Sequence, residues 1–98
     1  MGKRDNIDAA LLRFAPRIPP YERGAIVDHG MDSVGLRPAS AETAAWLSLV
    51  AYVRHALTDY DELLQQGYDA ESARHFVAAD MDKILAEWGV RRRISSAD

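Results

Sequence analysis

The stretch from Ser40 to Gln66, SAETAAWLSLVAYVRHALTDYDELLQQ, decides how this chain is built. No proline or glycine interrupts it, and Gly67 follows directly. Trp46, Val50, Val53, Leu57, Tyr60 and Leu64 recur at spacings of 4, 3, 4, 3 and 4, the apolar stripe of a helix. The Ser40 hydroxyl suits an N-cap, because it accepts one of the backbone N–H groups left free in a first turn, and Glu42 places negative charge at the positive helix end. The stripe runs through Thr58-Asp59 without losing phase. The spacing therefore predicts one helix from about Ala41 to Gln66, about 39 Å long.

Outward from that rod, Gly67-Tyr68-Asp69 reads as a tight turn. Gly67 suits a left-handed helix end and Asp69 an N-cap. A second helix is expected from about Ala70 to Trp88, with Ala73, Val77, Met81, Ile84 and Trp88 on its apolar side and Gly89 ending it. So short a turn lays the two helices antiparallel. With their stripes face to face, Asp61 and Arg74 come level, and an Asp61–Arg74 ion pair is expected. Arg54 would join the same structural ion pairing, bridging to Asp61 or to the neighbouring helix. A second line, Ala44, Ser48, Ala51 and His55, is mostly small, so another helix can approach there.

Before Ser40 the chain is punctuated by proline and glycine. Pro16, Pro19 and Pro20 stop a first helix expected over Asp5–Phe14, since proline lacks the N–H and clashes with the preceding turn. Pro20 is suited to start a second helix, which weakens at Gly30 and ends before Gly35. No stretch alternates apolar and polar residues as a half-buried strand does. The fold class expected is all-α, a small helical domain of about four helices built on a long antiparallel helical hairpin. It is a single domain over 1–98: two short helices and loops over 1–39, the hairpin over 40–90 and a basic tail over 91–98.

Composition narrows the chemistry. The 98 residues are 48% hydrophobic and 28% charged and include no cysteine, which excludes disulfides, thiolate zinc sites and a cysteine nucleophile. Net charge is -3, against a general attraction to nucleic acid. Charge is uneven: residues 1–37 carry net +1, residues 38–90 net -6 and residues 91–98 net +2. No apolar run approaches the roughly 20 residues that span a bilayer. Asp5 and Asp8 interrupt any signal-peptide apolar region, and Asn6 stands where a myristoylation signal wants Ser or Thr. A cytoplasmic protein that does not enter membranes is expected.

The stretch Arg54-His55-Ala56-Leu57-Thr58-Asp59-Tyr60-Asp61-Glu62-Leu63-Leu64 resembles the R-H-x-x-T-D-Y-D-x-L-L run of a family of uncharacterised bacterial and fungal proteins, domain of unknown function 2293. Ala73-Arg74 and Trp88 match a second helix with an A-R pair and a terminal tryptophan. The resemblance covers roughly residues 40–90. It implies a fold-sized unit and carries no activity, cofactor or site residue.

Candidate sites come from side-chain spacing. His55, Asp59 and Glu62 stand at i, i+4 and i+7, one face of a continuous helix, and would offer a divalent metal an imidazole and two carboxylates. The plainer reading is a solvated face with a histidine held by a carboxylate. Glu71–His75 and Asp28-His29 are similar pairs. Arg91, Arg92 and Arg93 would contact phosphates, joined by Lys3, Arg4, Arg13 and Arg17 if the termini meet; the plainer reading is a solvated tail. Tyr60 is expected in the core, and Tyr68 against Ala73 as a helix-start staple. No phosphate loop, G-x-S-x-G or H-E-x-x-H motif occurs, so no catalytic residue and no cofactor is assigned. The function expected is a non-catalytic interaction module with a protein partner, self-association being one form of it. The alternatives are a nucleic-acid-binding protein using its basic termini and a metal-dependent enzyme using the His/Asp/Glu face.

Overall fold

In the computed structural model, residues 2–92 and 94 are described, and all regular structure among them is helical. Helix α1 spans Lys3–Phe14 and α2 spans Pro20–Asp32, followed by a 3-10 turn over Val34–Leu36. Then come α3 (Ala41–Leu57), α4 (Tyr60–Gln65) and α5 (Ala70–Glu87). The all-α class holds, with five helices rather than four.

The extra helix comes from a break in the long rod. Thr58 closes α3 in extended backbone, φ -133° and ψ 174°. Its hydroxyl donates to the Arg54 carbonyl and accepts the Tyr60 N–H at 3.2 Å. A threonine side chain that bonds its own backbone competes with the helix ladder. Here it ends one helix and starts the next, so Ala41–Gln66 is not continuous. The apolar stripe survives in part. Trp46, Val50, Val53 and Tyr60 are buried, whereas Leu57 and Leu64 stand on the exposed side.

Both glycine-ended helices close by the same device. The Tyr68 N–H bonds the Leu63 carbonyl and the Gly67 N–H bonds that of Leu64. Likewise Val90 bonds Leu85 and Gly89 bonds Ala86. This is the Schellman arrangement, which needs a positive φ at the glycine; φ is 103° at Gly67 and 90° at Gly89. The Asp69 carboxylate accepts the Ser72 N–H at 2.8 Å. Ser40 does the same for Thr43 at 3.1 Å. Both expected caps are in place.

Helix α3 is the centre: α1, α2, α4 and α5 all pack against it. Ala44, Ala45, Leu49, Val50 and Val53 are fully buried along it. The small line works as expected on its N-terminal side, where Gly30 of α2 lies so close to Ser48 that a Cβ would stand 3.2 Å from the Ser48 Oγ. On α5 the buried seam is Ala73, Val77, Met81, Leu85 and Trp88, with Ile84 only half-buried. Burying each large aliphatic side chain contributes about 1.5–3 kcal/mol. Arg17 clamps the far end. Its backbone N–H bonds the Trp88 carbonyl at 2.9 Å, and its guanidinium donates to the carbonyls of Glu87 at 3.2 Å and Ala86 at 3.1 Å.

Candidate functional site

The break in the rod rearranges the residues that spacing had put on one face. His55 Nδ1 lies 2.7 Å from Asp61 Oδ1, and both side chains are about half exposed. Asp59 begins α4 with no side-chain cap bond. Among the described residues, His55, Asp59 and Glu62 are not gathered into a group placed to hold a metal ion. The expected Asp61–Arg74 pair is absent from the ion pairs among the described residues, because Asp61 turns to His55 instead.

The basic ends are largely used internally. Lys3 Nζ donates to the Leu36 and Arg37 carbonyls, each at 3.0 Å. Arg4 pairs with Asp28, which raises the Arg4 pKa chiefly through their hydrogen bond. Arg17 is spent on the end of α5. Arg92 lies over the Trp46 ring, 4.2 Å from its centroid, within the range of cation–π attraction. Arg91 is exposed, and Arg93 lies outside the described residues.

A different group of residues comes together between the C-terminal end of α3 and the first half of α5. A groove of about 560 Å³ opens there, within the size range of ligand pockets. Arg54 and Arg74 line it, with His75 and Ser72 beside them and Glu71 as its one acidic group among the described residues. Met81, Ala78 and Ile94 supply apolar lining, and Phe76 stands at the same groove. Helix phase explains α5's share, since residues 71, 72, 74, 75 and 78 fall on adjoining turns of one side.

Arg54 is buried, 6% exposed, with its guanidinium carbon 5.7 Å from the centre of the Tyr60 ring. The break after Leu57 makes this possible by folding Tyr60 back under Arg54. Arg74 is half-buried, and its Nε is fully buried without a hydrogen-bond partner among the described residues. Phe76 is 59% exposed and packs edge-on against Tyr68 at 5.3 Å. Tyr68 thus meets Phe76. No hydrogen bond among the described residues joins His75 to Ser72 or Glu71, so no nucleophile–base relay is assembled there.

The sequence carries a signal for this groove. Residues 38–90 hold only three basic side chains, Arg54, Arg74 and Lys83, against nine acidic ones. Two of those three converge on one site, and spacing alone had assigned them to ion pairs.

The fold and groove define an all-helical unit with a mixed basic and apolar recess. The chain belongs to the family of uncharacterized conserved proteins DUF2293, whose profile matches residues 10–89. The match begins in α1, so the family unit takes in the helices before Ser40 as well as the 40–90 region. No curated protein and no solved structure matches the chain.

Proposed function

We propose that this protein is a non-catalytic interaction module and that the groove between α3 and α5 receives a segment of a partner protein. One observation carries the reading. A large exposed aromatic ring, Phe76, stands at the edge of a recess with apolar lining in an otherwise acidic region. Exposed rings beside a concave site are typical anchors in protein recognition. The engagement of Lys3, Arg4 and Arg17 in internal bonds argues against phosphate contacts at the termini.

A random peptide library selected against the folded protein tests this. The expected result is an enriched consensus whose binding is lost in Phe76→Ala. No consensus, or one indifferent to Phe76, overturns the reading. Light scattering across a concentration series asks whether the partner is a second copy: a dimer that Phe76→Asp dissociates would name the chain as its own partner.

A further inference from the structure

Resting on the groove reading above, we propose that the strap of chain following α5 competes with the partner segment for the groove, Ile94 holding an apolar place that the partner's own side chain takes on binding. The strap begins at Gly89, whose positive φ turns the chain out of α5 while the Val90 N–H still bonds the Leu85 carbonyl. Beyond it, Arg92 lies over the Trp46 ring and Ile94 reaches the groove between α3 and α5. Of the described residues that line the groove, Arg54 belongs to α3 and all the others but Ile94 belong to α5. Ile94 is half-buried and packs against the core of which Met81 is a part.

The walls and the strap are held differently. Arg54 and residues 71–81 sit in helices, where backbone hydrogen bonds fix each turn. Ile94 lies outside any helix, and past Val90 the strap meets the helices through side chains, Arg92 on Trp46 and Ile94 on the core. A segment with few buried apolar contacts and no regular backbone ladder opens at less cost than a packed helix. What opening exposes is one half-buried aliphatic side chain, and a partner residue of equal or larger apolar area offsets that loss. Phe76 is 59% exposed with Ile94 in place. The partner therefore meets Phe76 first and displaces Ile94 second. Only molecules with Ile94 withdrawn offer the whole site, so the strap weakens apparent binding by the fraction that is open. The matching segment carries two apolar side chains, one for Phe76 and one for the place Ile94 leaves in the groove with Met81.

The test compares the full chain with its Ile94→Ser variant and uses as probe a synthetic peptide of residues 90–98. The Met81 methyl group and the amides of residues 71–81 report on the groove by NMR. Ile94→Ser should itself shift the Met81 methyl signal while circular dichroism shows an unchanged helical content. The peptide should bind the Ile94→Ser chain about fivefold or more tightly than the unaltered chain. A peptide with serine in place of its isoleucine keeps every charge and should move none of these signals. Ile94→Ala should give an intermediate gain and keeps the test open if Ile94→Ser unfolds the protein. Equal binding of the 90–98 peptide to both chains, or binding to neither, overturns the competition. The library selection, run against both chains, separates this from the groove reading. A Phe76-dependent consensus that binds Ile94→Ser more tightly supports both. One that binds the two chains equally leaves the groove and overturns the competition. No Phe76-dependent consensus against either chain removes the groove reading, and the competition falls with it.

Discussion

His55 and Asp61 are six positions apart and touch through a 2.7 Å hydrogen bond. On an unbroken helix, six residues turn through a little more than one and a half turns, leaving two side chains about 120° apart. The contact exists because the rod is interrupted between them. The same interruption brings the Tyr60 ring edge-on to His55 at 5.1 Å and under Arg54 at 5.7 Å. The Thr58 hydroxyl sits at the turn that brings these side chains together.

Thr58→Ala removes both bonds made by that hydroxyl. A loss of about 1 kcal/mol in stability is expected, the ordinary worth of a partly buried side-chain hydrogen bond. Urea denaturation checks it. Asp61→Asn, at an exposed pair, should change stability by less than about 1 kcal/mol. A larger loss from Asp61→Asn than from Thr58→Ala would show that the His55–Asp61 contact, not the hydroxyl, makes the break.

The two glycine caps should respond unequally to alanine. At Gly67 the surroundings are open, and only the positive φ resists a side chain. Gly67→Ala should cost about 1 kcal/mol. At Gly89 a Cβ would also stand 3.0 Å from Pro16 Cδ. Gly89→Ala should cost about 2 kcal/mol or more, since strain and crowding add. Thermal unfolding of the pair, side by side, measures the difference.

Ser48 is fully buried, and its hydroxyl has no hydrogen-bond partner among the described residues. Ser48→Ala removes that unpaired group and puts a better helix former in α3, so a gain of up to about 1 kcal/mol is expected. Gly30→Ala is crowded by the Ser48 Oγ and by Ile7, whose Cδ1 would lie 3.4 Å away. It should be better tolerated in the Ser48→Ala background. A double-mutant cycle with coupling below about 0.3 kcal/mol would count against the contact.

Tyr52 carries the pH prediction. The neighbouring Glu22 carboxylate, reinforced by burial, pushes its pKa up to about 12. An unfolded tyrosine titrates near 10. The native state therefore holds this proton more tightly than the unfolded state does. The stabilisation is complete below pH about 10 and is lost as pH rises through about 12. Tyrosinate absorbance should show one late-titrating tyrosine that disappears in Tyr52→Phe and moves toward 10 in Glu22→Gln.

Local chemistry carries much of this structure, and it can be read residue by residue. Pro20 at a helix start, Ser40 and Asp69 as caps, and Gly67 and Gly89 in left-handed turns each act on their own few neighbours. Their effect is therefore written in the chain itself. The apolar stripes announced α3 and α5 for the same reason: a buried face must repeat with the helix turn. Thr58 was harder. A threonine hydroxyl fits either a continuing helix or a broken one, and the choice rests on whether burying Tyr60 outweighs an intact ladder. That balance involves side chains from several helices at once. Arg54 and Arg74 were ambiguous in the same way. They are twenty positions apart, and only the packing of α5 against α3 and α4 brings them to one groove while Asp61 turns away to His55. Backbone preferences are decided within a turn or two of the chain, whereas a recess exists only after distant surfaces have met.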